Sequence, residues 1–173
     1  MAFIDLAKTR RSIRGFQADI PVTQEQIDKI LEAAQAAPSG GNRQPWHFYV
    51  IRRKEMILDI KEKACDQTSY ASAPLVIAVC IDATRFSERY GERGQSLYAI
   101  QDTAAAIQNM LLCAAELGLG TCWCGAFDEN AVRELLSLPE TKRPVALIPV
   151  GAPAMEPVEF RRRPVADITT FID

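Results

Sequence analysis

The run Pro74-Leu75-Val76-Ile77-Ala78-Val79-Cys80-Ile81 is apolar from end to end. With no face to offer water, it predicts a strand at the centre of a sheet that is covered on both sides. Working outward, Trp46 to Ile51 is aromatic and β-branched and is closed by Arg52-Arg53-Lys54, which predicts a second strand; Pro144 to Val150 predicts another. Between them lie helical segments. Thr23-Gln24-Glu25-Gln26 is a capping box, in which the Thr and Gln side chains satisfy free amide protons at a helix start. Ile27, Ile30, Leu31 and Ala34 follow at helical spacing and mark one buried face. That helix ends by Ala37-Pro38, and Ser39-Gly40-Gly41-Asn42 is a loop because paired glycines beside a proline break regular structure. Glu55 to Cys65 suits a short helix with Met56, Ile57 and Ile60 as its apolar side. Leu97 to Leu117 suits a long one that stops at Gly118-Leu119-Gly120, and Asp128 can cap a further helix carrying Val132, Leu135 and Leu136. The three consecutive alanines, Ala104 to Ala106, suit either close packing on the sheet or a subunit interface.

The polar stretch Asp82 to Gly94 predicts a solvated excursion. Residues 151–173 lack a helical period and predict an extended tail over a surface. Helices and strands alternate without repeat or linker, so residues 1–173 are read as a single domain, with 151–173 its C-terminal tail.

The chain has 173 residues, 48% of them hydrophobic and 24% charged, which suits a globular fold with a real core. Twenty basic against 22 acidic residues leave a net charge of −2, so long-range attraction does not draw it to nucleic acid or to an anionic membrane. No apolar run approaches the ~18–20 residues of a bilayer span. These features place the protein in the cytoplasm. Five cysteines, at positions 65, 80, 113, 122 and 124, carry no secretory context and are read as reduced thiols. Cys122-Trp123-Cys124 lacks a second ligand pair, which argues against zinc. The sole histidine, His47, begins an apolar strand and is read as a packed side chain, which leaves no base for Cys/His or Ser/His/Asp chemistry. Trp123 is read as a core residue or as a border of the site.

The basic residues are unevenly spread. Lys8, Arg10, Arg11 and Arg14 fall close together near the start, and Arg161, Arg162 and Arg163 are adjacent near the end. Guanidinium forks match phosphate oxygens, so the two clusters would clamp one phosphate if they converged; apart, they are ordinary solvated charge. Ser39-Gly40-Gly41-Asn42-Arg43-Gln44 is neither a Walker loop nor a dinucleotide fingerprint. Its amides and hydroxyl suit the edge of a flat heterocycle such as a flavin pyrimidine, or they form a plain helix-to-strand turn.

Taken together, Arg10-Arg11-Ser12-Ile13-Arg14-Gly15-Phe16 and Ala37 to Phe48 resemble the nitroreductase family of FMN-dependent oxidoreductases. Gly118 to Phe127 and Ile148-Pro149-Val150-Gly151 with the arginine tail look like further family segments, in the family's order. The resemblance implies an α+β sandwich with a central, mainly antiparallel sheet flanked by helices, assembled as an intertwined homodimer with FMN at the interface. It places Arg10, Arg11, Ser12 and Arg14 on the FMN phosphate and ribityl side, with Arg162 and Arg161 closing from the other end. It places Pro38, Ser39, Gly40 and Asn42 against the isoalloxazine, commonly of the partner subunit. The backbone of Gly125 and Ala126 would lie near flavin N5. No side chain is nominated as catalytic and no metal is implied. The implied activity takes hydride from NAD(P)H and reduces a nitroaromatic, a quinone or a similar small electron acceptor by a ping-pong route.

The family's long helical insertion over the substrate is missing between Tyr70 and Asp102, leaving Asp82 to Gly94 as the available lid. Alternatives on the same fold are flavin destruction or reductive dehalogenation. A flavin- or nucleotide-binding regulatory dimer without turnover is the non-enzymatic alternative.

Overall fold

The computed structural model describes residues 2–86 and 88–172. Strands β1 (Trp46–Ile51), β2 (Leu75–Asp82), β3 (Gly120–Thr121) and β4 (Lys142–Gly151) form one sheet in the order β1-β2-β4-β3, with every neighbouring pair antiparallel. The all-apolar run is the strand expected at the centre: every residue of β2 is buried. Its side chains alternate between two cores. Leu75, Ile77 and Val79 join Ala146, Ile148 and Val150 on one face. There α2 (Gln24–Gln35) contributes Ile27, Ile30 and Ala34, and α6 (Ala99–Glu116) contributes Ala106, Ile107 and Met110. Val76, Ala78, Cys80 and Leu147 face the other way. They meet Ile57 and Ile60 of α3 (Lys54–Lys63), Tyr70 of α4 (Ser69–Ser72), Val132 of α7 (Glu129–Leu135), and Ile13 and Phe16 of the N-terminal segment. Each fully buried Ile or Leu contributes roughly 1.5–3 kcal/mol relative to exposure, so the double-sided pattern of β2 holds both helical layers.

The helix starts follow their local chemistry. Thr23 Oγ1 accepts the Gln26 N–H at 3.2 Å while Gln26 Oε1 accepts the Thr23 N–H at 3.0 Å, completing the capping box. Asp128 accepts the N–H groups of Asn130 and Ala131 at 2.8 and 3.0 Å. Asn109 donates to the Ala33 carbonyl at 2.9 Å and ties α6 to α2. Of the alanine triplet, Ala106 is wholly buried in the core and Ala105 packs against it.

Several expectations are corrected. A helix α1 (Phe3–Thr9) precedes the arginines; it buries no residue of its own, so no amphipathic pattern announces it. Gly120, read as part of a helix stop, pairs instead with Gly151 in the short strand β3. Both glycines are dictated by close approach: a Cβ on Gly120 would lie 2.8 Å from the Ile13 side chain, and one on Gly151 2.7 Å from Pro74. His47 is exposed and stacks at a tilt on Tyr49, 4.8 Å between ring centres, because it lies on the edge strand rather than in the core. Trp123 is 40% exposed and so is not a core residue. The 82–94 excursion is built of short turns, including α5 (Gly91–Arg93), that run through a π-helical turn (Gly94–Tyr98) into α6. The tail beyond Ala154 is exposed, with one 3₁₀ turn at Val165–Ile168. Among the described residues no helix is long and apolar enough to cross a membrane.

Candidate functional site

The N-terminal arginines sit on a segment that lies alongside β3. Ser12 bridges Thr121 in parallel fashion and the Ile13 N–H donates to the Thr121 carbonyl at 2.8 Å. The tail crosses the same place: Phe16 bridges Pro153, and the Ala154 N–H donates to the Gly15 carbonyl at 3.0 Å. As a result the tail leaves the sheet beside the N-terminal segment, and one of its arginines, Arg162, bears on Arg10. Arg10 is held below the ordinary guanidinium range by burial first, and then by the positive charges of Arg11 and Arg162. Among the described residues none of the ion pairs involves Arg10, Arg11, Arg14 or Arg162. Guanidinium groups gathered without a carboxylate, in a cleft of about 210 Å³ lined by Arg10, Arg11, Thr9, Gly120 and Thr121 among others, are matched by an anion such as a phosphate.

The individual arginines divide their duties. Arg11 turns Nη1 back onto the carbonyls of Lys8 and Arg10, capping the C-terminal end of α1, and leaves its Nε buried without a partner. Arg163 donates to the Asp167 carbonyl of its own tail at 2.8 Å. Arg162 is the tail arginine whose charge bears on Arg10; Arg161 is exposed.

Cys122, weighed in the sequence only as a zinc ligand, lies next to this neighbourhood. Cys122 follows Thr121 directly and is 2% exposed. Its thiol is drawn well below the usual thiol range, toward neutrality. The causes are the neighbouring Cys124 thiol first, then the cations Arg14 and Arg10 and the Ser12 side chain, against the opposing effect of burial. Cys124 goes the other way: the adjoining Cys122 thiol and then burial push it up, and its S–H donates to Gln67 Oε1 at 3.1 Å. All five cysteines are free.

The Pro38 to Gln44 loop lies elsewhere. Gly41, Asn42 and Gln44 have φ of 58°, 54° and 52°, left-handed values that glycine and asparagine tolerate best, with Arg43 between them at −74°. Ser39 Oγ accepts the Gln44 N–H at 2.9 Å, and both Asp102 carboxylate oxygens accept the Gly40 N–H at 3.1 and 3.2 Å. Burial raises the Asp102 pKa, an effect the Gly40 N–H opposes. The excursion clasps the loop: Arg43 donates to the Phe86 carbonyl at 3.2 Å, and Arg85 Nε donates to the Arg43 carbonyl at 3.0 Å. A Cβ on Gly41 would lie 2.6 Å from the Tyr90 hydroxyl. Gly41→Ala is therefore expected to destabilise by more than the ~1–2 kcal/mol of a left-handed alanine alone. Thermal denaturation beside Gly118→Ala checks this, since Gly118 has φ of 75° and open space around it.

Asp102 stands near the start of α6, whereas the arginine cleft includes Ala115 and Gly118 at its far end. At 1.5 Å rise per residue the loop and the cleft are about 20 Å apart within one chain. Gly125 and Ala126 are exposed, and a Cβ on Gly125 would meet nothing within 4 Å, so the backbone there is bare to a planar group.

With the fold and cleft described, the comparisons identify their class. The model of the nitroreductase family matches residues 7–82 and 58–152. A Methanothermobacter thermautotrophicus protein, provisionally named NADH dehydrogenase/NAD(P)H nitroreductase, is 40% identical over 161 residues, covering 91% of this chain and 80% of its own. The FMN reductase [NAD(P)H] of Bacillus subtilis is 34% identical over 167 residues, 89% of this chain and 67% of its own. The crystal structure of a nitroreductase family protein from Clostridium difficile 630 superposes with a TM-score of 0.86 at 34% identity, covering 99% of this chain and 98% of that one. The chain belongs to the nitroreductase family.

Proposed function

We propose that this chain is an NAD(P)H-dependent oxidoreductase that uses FMN, held as one cofactor-binding unit with the 151–173 tail as its arm. The observation that carries the reading is the meeting of Arg10 and Arg162, from opposite ends of the chain, without a carboxylate between them. The unpartnered buried Nε of Arg11 supports the fit of an anion there. Arg10, Ser12, Arg14 and Arg162 would hold the FMN phosphate, while Arg11 orders the segment by capping α1. Pro38, Ser39, Gly40 and Asn42 would meet the ring, and the open backbone at Gly125 and Ala126 would lie under its reactive edge. Held by these residues, FMN would supply the redox chemistry, hydride acceptance from NAD(P)H and reduction of a nitroaromatic, quinone or similar small acceptor in ping-pong order.

The separation of about 20 Å between loop and cleft supports a pocket completed by a second copy of the chain. So do the exposed apolar side chains of Phe3, Ile4, Val158, Phe160, Phe171 and Ile172, between 54% and 93% accessible, which a homodimer would cover. The loop of one protomer then serves the ring held by its partner. Arg43 and Arg85 tie the 82–94 turns onto that loop and make them the wall on the acceptor side. Five free thiols suit the reducing cytoplasm.

The purified protein is expected to be yellow, to bleach on anaerobic addition of NADH or NADPH, and to regain its colour with a quinone. A coloured protein that does not bleach would favour the binding dimer without turnover, and a protein that takes up no FMN would end the reading.

A further inference from the structure

The chain leaving β3 keeps the alternation of a strand as far as Phe127. Thr121 turns its carbonyl to the N-terminal segment, where it accepts the Ile13 N–H at 2.8 Å. Cys122 and Cys124 turn the other way: their N–H groups donate to the Pro149 and Leu147 carbonyls at 3.4 and 3.0 Å, and the Cys124 carbonyl accepts the Leu147 N–H at 3.0 Å. Pairing with β4 ends at Cys124 and Leu147. Two residues on, the Ala126 carbonyl points the same way and accepts from the Cys65 thiol at 3.4 Å. A thiol there takes the place of a strand partner. Cys65 is 3% exposed, so that carbonyl faces the interior, and burial raises the Cys65 pKa, which keeps the donated proton in place. A second thiol closes the same junction: Cys124 donates to Gln67 Oε1 at 3.1 Å, while the Gln67 N–H donates to the Cys65 carbonyl at 2.7 Å. The Asp128 N–H ends the strap on the Ala64 carbonyl at 2.8 Å.

Peptide geometry then decides what is left outside. In a trans peptide the carbonyl and the following N–H point to opposite sides, so anchoring the carbonyls of Cys124 and Ala126 inward turns the N–H groups of Gly125 and Phe127 outward. Among the described residues neither of these N–H groups has an acceptor. Gly125 is exposed with open space over it, and Thr121, which faces the same side, lines the arginine cleft. Two donors on one free edge, continuing from the place where the arginines lie, match a ring edge that gains negative charge.

Resting on the FMN reading above, we propose that Cys65 is a positioning residue for flavin reduction: by holding the Ala126 carbonyl inward, it aims the Phe127 N–H, beside that of Gly125, at the reactive edge of the ring. Without the thiol, the Ala126 carbonyl is a buried acceptor with no partner, and its peptide turns to recover one. The Phe127 N–H then leaves the edge. Reduction adds negative charge to the ring, so losing an aimed donor weakens binding of the reduced form more than of the oxidised one.

The test compares wild type, Cys65→Ala and Cys65→Ser as full chains. Titration gives the affinity for oxidised FMN, and the midpoint potential of the bound flavin gives the ratio of reduced to oxidised affinity. In Cys65→Ala that ratio is expected to fall about tenfold, as for one lost hydrogen bond to a charged acceptor, which lowers the potential by about 30 mV for a two-electron couple. Cys65→Ser keeps a donor on the same carbon and is expected to stay within about threefold of wild type. Amide hydrogen exchange of wild type, flavin-free and FMN-loaded, is expected to show the Gly125 and Phe127 N–H groups slowed by about tenfold or more on binding; it needs no variant and so stands even if both fold poorly. An unchanged ratio in folded Cys65→Ala, a Cys65→Ser that matches the alanine variant, or a Phe127 amide that FMN leaves unprotected overturns the proposal. FMN that fails to bind wild type overturns the cofactor reading instead, so the two failures are distinct.

Discussion

Lys142→Met is expected to lower stability by about 3 kcal/mol, the range for removing one partner of a buried ion pair. For a chain of this size that is a fall in Tm of roughly 6–12 °C. Lys142 Nζ stands 2.5 Å from Asp82 Oδ2, with both side chains about one-eighth exposed, 14% and 12%. The pair closes the end of the β2–β4 ladder, where Asp82 and Lys142 are register partners. Methionine keeps the stem volume, so the change isolates the charge. Asp82 would retain the Thr84 N–H at 3.0 Å and its hydroxyl at 2.6 Å, which holds the loss below the ceiling for an orphaned carboxylate. The pH dependence gives a second check. Burial pushes the Asp82 pKa up, but hydrogen bonds from Lys142 and Thr84, together with the charge of Lys142, carry it below the ordinary carboxylate value. A folded-state pKa below the unfolded one contributes stability that is present above about pH 4 and is lost as pH falls through the folded value. Lys142→Met removes the cause, so the wild-type advantage is expected to shrink in acid. Equal stabilities for the two proteins at neutral pH, by urea titration, would refute the prediction.

Where the sequence could be read, the determinants were local. The apolar run of β2 and the capping box before α2 each carry their own signal in adjacent residues. The two-residue strand β3 does not: it exists because Gly120 and Gly151 let Ile13 and Pro74 approach, contacts between residues far apart along the chain. Helix α1 buries nothing within the chain and so leaves no periodic trace. The exposure of His47 and Trp123 depends on which strand is an edge and which face stays open, neither of which is encoded beside them. The site shows the same division. The clustering of Arg10, Arg11 and Arg14 is visible as charge, and the resemblance gave it a purpose. That Arg162, rather than Arg163, bears on Arg10 depends on the path of the tail, and Thr121 joins the cleft only through its pairing with Ser12.

The second large effect tests the clamp itself. Arg14→Ala is expected to weaken FMN binding by about 10–150-fold, the equivalent of one charge-assisted hydrogen bond of roughly 1.5–3 kcal/mol. Arg53→Ala should change it by less than about twofold, because an exposed arginine outside the clamp contributes little. Arg53 is an exposed control, since it sits at the start of α3. Raised salt should narrow the difference, as screening weakens guanidinium–phosphate attraction. A misfolded variant would lose affinity too, and riboflavin separates the cases. It has the same ring without the phosphate, so a clamp acting on phosphate leaves riboflavin affinity unchanged in Arg14→Ala while FMN affinity falls. The ratio of the two affinities is therefore the coupling between Arg14 and the phosphate, free of any change in the ring pocket. Equal losses for the two flavins would show that Arg14 supports the fold or the ring and not the phosphate, and the meeting of the chain's two ends would then need another anion to explain it.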